Sequence, residues 1–346
     1  MKIGNRNIGD NHPCFIIAEL SANHNGSLEV AIETIRAAKR TGADAIKLQT
    51  YTPDTMTIDA NNEHFQINEG TLWDGKTLYE LYQEAYTPWE WHEELFKVAK
   101  EEGLICFSSP FDITAVDFLK KLDVPVYKIA SFEIQDIPLI EHTASQGKPI
   151  IISTGIAIEE DIQLAVDTCR NAGNEDIILL KCTSSYPAPL DLANLNTIPD
   201  IKSRFNVEVG FSDHTYGSLA PAIATTLGAN VIEKHFILDK SIGGPDADFS
   251  LDEEEFKEMV KAVRDTEKML GTASYNVSEK VKKNRKFARS LFIVEDVKKG
   301  DIVTKYNLRS IRPGNGLHPK FLNNVLGKEF KIDIKRGTPL SLDDIM

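Results

Sequence analysis

Two histidines at the ends of two consecutive apolar runs are the first chemistry the sequence offers. "VEVGFSDH" (207–214) ends in His214, and "NVIEKHF" (230–236) carries His235. Neutral imidazoles brought side by side can share one divalent ion and leave positions for water and substrate. The plainer alternative is a pair of hydrogen-bonded polar histidines. Glu233 could complete a metal sphere, fix an imidazole tautomer, or form a salt bridge with Lys234 or Lys47. Lys47, Lys128 and Lys181, together with the hydroxyls of Ser131, Ser153 and Ser212, could cradle a phosphate. Lysine acts there as a point charge and the hydroxyls as donors. A lysine deep in a fold could instead form a Schiff base, but three of them favour neutralising an anion.

All of these groups sit at the polar ends of apolar runs, so the runs must position them. Eight runs stand out: 14–19, 43–50, 104–110, 125–131, 149–154, 176–186, 207–214 and 230–236. Their continuous apolarity fits parallel strands buried on both faces. Amphipathic stretches separate them. "SLEVAIETIRAAKRTG" opens with a candidate cap at Ser27 and closes at Gly42. "PWEWHEELFKVAKEEG" opens with proline and closes at Gly103, and "EEFKEMVKAVRDTEKMLG" ends at Gly271. Eight strands alternating with helices over about 250 residues is the count of a TIM (β/α)8 barrel. The alternative, an open doubly wound sheet, would carry a GxGxxG turn, which is absent. Barrel active sites lie at the C-terminal strand ends. Those ends hold Glu19, Lys47 with Gln49, Ser108 with Ser109, Lys128 with Ser131 and Glu133, and Ser153. They continue with Lys181 through Tyr186, Ser212 through His214, and Glu233 through His235.

The bulk properties narrow the class. The 346 residues carry a net charge of −13, which argues against nucleic acid or a membrane surface as a standing partner. An anionic substrate would then need a locally basic pocket. No stretch of 18 apolar residues suggests a membrane span, and "MKIGNRNIGDNH" lacks the apolar core of a signal peptide. Cys14, Cys106, Cys169 and Cys182 show no CxxC spacing and read as buried thiols. A cytoplasmic protein is the expectation.

After Gly271 the character changes. We expect a barrel over 1–271, a basic linker or helix over 272–290, and a small domain over 291–346. The tail repeats itself: "DVKKGDIV" (296–303) and "DIKRGTPL" (333–340) match at Asp, Lys and Gly. Two similar β-turn units of this size give only a marginal core.

The chain resembles the sialic acid synthase (NeuB) family along essentially its whole length. The stretches that carry the resemblance are "FIIAELSANHNGSLEVA", "GADAIKLQTY", "FSSPFD", "YKIASFE", "STGIA", "LLKCTSSYP", "GFSDHTYG", "VIEKHFILDKS", "FARSL" and "RPGNGLHP". The resemblance implies a TIM barrel followed by an antifreeze-like (SAF) domain. It also implies condensation of phosphoenolpyruvate with an amino-sugar by C–O cleavage, with Mn2+, Mg2+ or Co2+ as the metal, in a domain-swapped homodimer. Residue by residue, it places the metal on His214 and His235. Phosphoenolpyruvate falls to Lys47, Ser109, Lys128, Ser131, Ser153, Ser184 and Ser212, and a catalytic carboxylate to Glu133. The sugar falls to Glu19, Tyr186 and Asp246, with Phe287 and Arg312 reaching in from the other subunit. Family members carry asparagine at the position of Ser184, where this chain retains one hydroxyl donor.

Three branches of the family share this chemistry and differ in the sugar. "AELSANHNGS", "KLQTYTPDT" and "GTLWDGKTLYELYQEAYTPWEW" look most like the pseudaminate-forming branch rather than the neuraminate or legionaminate branches. Its sugar, 2,4-diacetamido-2,4,6-trideoxy-L-altrose, calls for an apolar pocket. Trp73, Trp89 and Trp91 are candidates to supply it, or else they pack the second helix. Two rival classes are a different metal-dependent barrel aldolase and a non-catalytic polysaccharide-coat protein.

Overall fold

A computed structural model describes residues 1–68, 70 and 73–346. The chain divides into two compact units, Met1–Gly271 and Thr272–Met346. The first is a closed barrel of eight parallel strands. They are β1 (Phe15–Glu19), β2 (Ala45–Thr50), β3 (Ile105–Pro110), β4 (Tyr127–Ile129), β5 (Ile150–Ser153), β6 (Ile177–Cys182), β7 (Glu208–Asp213) and β8 (Val231–His235). β8 closes on β1 with Val231 opposite Phe15 and His235 opposite Glu19. Every run expected to be a strand is one.

Each strand is apolar on both faces for two reasons. Residues of one parity, such as Ile16, Ala18, Ile46, Leu48, Ile150, Ile152 and Ile232, pack outward against the helices. The other parity supplies Phe15, Ile17, Ala45, Phe107, Val126, Ile151, Ile178, Leu180 and Val231. These fill the lower half of the barrel together with Ile3 and Ile8. A short antiparallel ribbon, Lys2–Ile3 against Arg6–Asn7, carries Ile3 and leads into Ile8. The inward parity continues upward, and there the side chains of seven strands turn polar, Glu19, Lys47, Gln49, Ser109, Lys128, Ser153, Ser212, Glu233 and His235, while β6 presents Cys182. The apolar plug is thus the floor of the site.

The surrounding helices are α1 (Leu28–Thr41), α2 (His92–Glu101), α3 (Ile113–Lys121), α4 (Ile137–Ala144), α5 (Glu159–Asn171), α6 (Thr197–Phe205), α7 (Leu219–Thr226) and α8 (Glu253–Leu270). The expected Ser27 cap forms, its hydroxyl accepting from Val30 N–H at 3.3 Å. The β2–α2 connection is long and carries helices of its own at Pro53–Met56 and Leu78–Ala85. All four cysteines are buried and unpaired. Among the described residues no helix is long and apolar enough to cross a membrane.

In the second unit, Glu279–Asn284 is a short helix, followed by a 3-10 turn at Arg285–Phe287. β9 (Ser290–Ile293) then pairs antiparallel with β10 (Leu308–Ile311). The internal repeat folds onto itself with pseudo-two-fold symmetry. Val297 and Ile334 exchange backbone hydrogen bonds of 2.9 Å in both directions. Asp296 accepts from Arg336 N–H at 2.9 Å, and Asp333 accepts from Lys299 N–H at 2.8 Å. Each repeat's aspartate therefore caps the other's turn. Gly300 and Gly337 sit at φ of 89° and 88°, a left-handed geometry that a side chain would strain. A core of Leu291, Ile293, Val303, Leu308, Val325 and Phe330 holds the unit together.

Candidate active site

A quartet of buried charges lies above the apolar floor. Lys47 Nζ stands 2.9 Å from Glu19 Oε2 and 3.5 Å from Glu233 Oε1. Lys128 Nζ is also 3.5 Å from that same Glu233 oxygen. Glu233 further accepts from Ser212 Oγ at 3.2 Å, and Lys47 donates to Ser109 Oγ at 3.2 Å. Neighbouring strands produce this meeting directly, because Glu19 is in register with Lys47 and Ser212 with Glu233.

The two lysines answer differently to burial. Desolvation works against the Lys47 ammonium, but Glu19 and Glu233 outweigh it and raise its pKa. In Lys128 desolvation prevails, the single pairing with Glu233 being offset in part by nearby Lys47. Burial would raise Glu233, yet Lys128 and Lys47 together hold it below the ordinary carboxylate range. Burial wins for Glu19, which rises to about 7 despite Lys47. With Glu19 partly protonated near neutrality the quartet leans positive. It can accept an anion inside a chain of net charge −13.

A second cluster adjoins it. Ser131 Oγ accepts from Gly155 N–H at 3.1 Å. The hydroxyls of Ser153 and Ser184 are buried without a hydrogen-bond partner. A Cβ at residue 155 would press on Ser184 Oγ and come within 2.7 Å of Ser131 Oγ and 3.1 Å of Cys182 Sγ. Only glycine leaves this cradle open. Glu133 stands on the short turn Ser131–Glu133 after β4. Its Oε2 is buried and unpaired, and burial pushes its pKa up to about 7.

His214 and His235 face each other across β7 and β8, ring centroids 5.4 Å apart. His214 Nδ1 lies 3.0 Å from the Thr183 carbonyl, which can only accept. The proton therefore sits on Nδ1, and Nε2 offers a lone pair. His235 is held well below its ordinary pKa by burial, with His214 and the lysines adding to the effect. Its buried Nδ1 has no hydrogen-bond partner. Burial works against a charged His214, but the adjacent Cys182 outweighs it and raises its pKa, so a divalent ion held by the two imidazoles would take the place of that proton. Among the described residues no third His, Cys, Asp or Glu completes a protein-only ligand set, so water and substrate would fill the remaining positions. The outward-facing Lys234 makes a buried ion pair with Asp213 and donates to the Thr215 carbonyl at 2.5 Å. That pair clamps the loop on which His214 stands.

The sugar-side candidates form a third group. Asp246 accepts from Ser21 Oγ, Ser21 accepts from Gln49 Nε2 at 3.0 Å, and Gln49 also donates to Glu19 at 3.2 Å. Tyr186 lies against His214 with ring centroids 4.3 Å apart and against Phe249 at 5.1 Å. A cavity of about 220 Å³ opens here, lined on one side by Ser21, Gln49, Glu133, Tyr186, His235 and Asp246.

The structure thus gathers Glu19, Lys47, Ser109, Lys128, Ser131, Glu133, Ser153, Ser184, Tyr186, Ser212, His214, His235 and Asp246 at one mouth. Phe287 and Arg312 belong to the C-terminal unit, where both are exposed. A hydrogen bond from Gly314 N–H to the Lys286 carbonyl, 2.9 Å, holds their two segments side by side. One sequence reading needs correction, and the alternative left open for the tryptophans is decided. Lys181 has outward parity and donates to the Cys182 carbonyl and Thr183 Oγ1, at 2.5 and 3.3 Å, so it is not part of the cradle. Trp89 stacks on Phe118, and Trp91 packs edge-on against His24; of the three tryptophans only Trp73 lines the cavity. Ser21 joins the site beyond the residues read from the sequence, and Gln49, read there only as a strand-end residue, links it to Glu19. Their signal was the inward parity of residue 49 and the polar residues following Glu19.

Comparison with known proteins gives matches at three levels. The NeuB family profile matches residues 34–275, and the SAF domain profile matches residues 288–346. A curated "Pseudaminic acid synthase" of Campylobacter jejuni is 52% identical over 344 residues, 99% of each chain. Another of that name from Helicobacter pylori is 50% identical over 334 residues, covering 96% of this chain and 98% of its own. Among solved structures, an N-acetylneuraminic acid synthetase from Leptospira borgpetersenii superposes with a TM-score of 0.73. It is 31% identical and covers 82% of this chain and 94% of its own.

Proposed function

The chain belongs to the NeuB family, and on that premise we propose that it is a pseudaminic acid synthase. The reaction joins phosphoenolpyruvate, 2,4-diacetamido-2,4,6-trideoxy-β-L-altropyranose and water to give pseudaminate and inorganic phosphate. The observation that carries this reading is the shared mouth. Buried lysines, orphaned hydroxyls and His214 gather at the strand ends beside a cavity that is lined by the Glu133 carboxyl, poised near neutrality, and by the imidazole of His235. The sugar rests on identity of 50–52% over nearly the full chain to the two proteins named Pseudaminic acid synthase.

In this account Lys47 and Lys128 neutralise the phosphate and carboxylate of phosphoenolpyruvate. Ser131, Ser153, Ser184 and Ser212 donate hydrogen bonds, and Ser109 holds Lys47 in place. A buried hydroxyl without a partner costs about 1–3 kcal/mol, so substrate oxygens are welcome at Ser153 and Ser184. Asp246, Gln49, Glu19 and Tyr186 orient the open-chain sugar. His214 and His235 would hold a divalent ion such as Mn2+, Mg2+ or Co2+, which supplies Lewis-acid polarisation of the sugar aldehyde when bound. The methylene carbon of phosphoenolpyruvate forms the new C–C bond to that aldehyde carbon, and the aldehyde oxygen takes up a proton. Water adds at C2. Collapse of that centre to the ketone then breaks the C2–O bond, and phosphate departs with the bridging oxygen. Glu133, held protonated up to about 7, is the group placed to give and recover a proton in this sequence.

We further propose a domain-swapped homodimer in which Phe287 and Arg312 complete the partner's site. A guanidinium fork suits the planar carboxylate and amide acceptors of these substrates. A cytoplasmic location fits the nature of the substrates. The reaction class is tested with phosphoenolpyruvate carrying 18O in the bridging position. The label is expected in the released phosphate. Label retained in the sugar acid means P–O cleavage and contradicts the proposal.

A further inference from the structure

The side of the cavity facing the strand ends has no role in the chemistry above. It is built by the β2–α2 connection and the start of the β3–α3 loop, and its lining includes Tyr51, Met56, Leu81, Tyr82, Ala85 and Phe111. Leu81, Tyr82 and Ala85 share one side of the helix Leu78–Ala85, and Met56 ends the short helix before it. The phenols are the sole ionisable groups among these six, and burial pushes both Tyr51 and Tyr82 upward, so they remain neutral.

This wall is preformed. Tyr51 is braced edge-on between Tyr82 at 5.8 Å and Phe111 at 5.2 Å. Thr77 and Glu80 make a reciprocal capping box that starts the helix, and Leu78 N–H reaches the Phe65 carbonyl at 2.8 Å. Trp73 Nε1 donates to the Pro245 carbonyl at 3.1 Å, and Trp89 Nε1 to the Tyr51 carbonyl at 3.0 Å. The connection is thereby fastened both to the β8–α8 loop and to the end of β2. Trp89, which does not line the cavity, acts as a fastener.

The cavity is therefore two-sided, with Ser21, Gln49, Asp246 and His235 opposing a hydrocarbon wall. Such a site takes a ligand with an aldehyde and hydroxyls along one edge and an alkyl group on the other. We infer that Met56 and Leu81, backed by Tyr82 and Ala85, are specificity-determining residues that receive the C6 methyl group of the sugar. They discriminate against sugars bearing a hydroxyl at C6. This inference rests on the reaction proposed above. Its physical basis is that a hydroxyl pressed on the Met56 and Leu81 side chains finds no hydrogen-bond partner on them, and hydrophobic pockets reject an added hydroxyl by about 100-fold.

The test compares kcat/KM for the 2,4-diacetamido-2,4,6-trideoxy sugar with that for its 6-hydroxy counterpart. Wild type, Met56→Gln, Leu81→Gln and the volume-conserving control Leu81→Met are measured, each checked for cooperative melting. Wild type is expected to favour the 6-deoxy sugar by about 100-fold. Each glutamine variant should lower that ratio at least about 10-fold through the 6-deoxy sugar, with KM for phosphoenolpyruvate unchanged. Leu81→Met should keep it. Met56 is only half-buried and ends a short helix, so Met56→Gln decides the matter if Leu81→Gln fails to fold. A folded Met56→Gln enzyme that slows equally on both sugars overturns the assignment and leaves the reaction intact. Wild-type preference for the 6-hydroxy sugar overturns both.

Discussion

Replacing Glu233 by glutamine isolates the charge that holds the two cradle lysines together. One carboxylate oxygen lies 3.5 Å from each ammonium, and the residue is 5% exposed. At an effective dielectric near 20, each pair is worth roughly 5 kcal/mol of gross attraction. Desolvation of the carboxylate consumes much of that, so the measurable cost of breaking a buried pair is about 3–5 kcal/mol. Glutamine preserves volume and an acceptor for Ser212, which leaves the lost charge as the main change. For a domain of this size about 2–4 °C accompanies each kcal/mol, and the melting temperature should fall by roughly 10 °C. An anion bridging the same lysines should restore part of the loss. Saturating phosphoenolpyruvate, at about 100 times its Kd, contributes about 2.7 kcal/mol by mass action, and the gain should be larger in the variant than in wild type. Scanning calorimetry with and without phosphoenolpyruvate reads both quantities. A variant that melts within about 2 °C of wild type and gains no more from phosphoenolpyruvate refutes the claim that Glu233 is the counter-charge of an anion cradle.

Three further outcomes follow from the same geometry. Glu133 is protonated in the fold up to about 7, so kcat should fall as pH rises through that value. Glu133→Gln should lose about 100-fold or more in rate and lose that limb. A limb that survives in Glu133→Gln and vanishes in Glu19→Gln assigns the proton to Glu19 instead. The linkage sign is definite: folded Glu133 binds its proton more tightly than the unfolded chain, so its contribution to stability is full at acid pH and declines as pH rises toward 7. Chelation should abolish turnover and Mn2+ or Co2+ should restore it; full activity in metal-stripped protein contradicts the role of the His214–His235 pair. Co-expression of His214→Ala with Arg312→Ala chains should recover about a quarter of wild-type activity, since half the dimers then hold one intact site of two. No recovery, with mixed dimers verified, places Arg312 at its own barrel.

Much of this architecture was readable from residue order, and the unread parts share a physical cause. Strands buried on both faces are apolar at every position, so their runs reveal existence and direction but not which side chains point inward. Lys47, Lys128 and Lys181 therefore look alike in sequence, and only the parity set by Leu180 and by Ser212 opposite Cys182 turns Lys181 outward. The same ambiguity surrounded Lys234 inside "VIEKHF". Its neighbours Glu233 and His235 face the site while Lys234 pairs with Asp213 behind it. The tail repeat was visible, but the reciprocal Asp296 and Asp333 caps required the fold. The apolar wall was the least legible feature, because Leu81 and Ala85 lie far in sequence from any strand end. Long-range ties through Trp73 and Trp89 bring them to the mouth.

The central claim is the identity of the reaction and its sugar. Its most direct measurement incubates the protein with phosphoenolpyruvate, a divalent metal and, separately, the diacetamido-trideoxy-altrose, N-acetylmannosamine or the legionaminate precursor. Phosphate release is followed and the products are identified by mass and NMR. The account predicts stoichiometric phosphate and pseudaminate, with kcat/KM for the altrose derivative well above that for the other two. Faster turnover of N-acetylmannosamine or of the legionaminate precursor, or no phosphate release with any of the three, contradicts it.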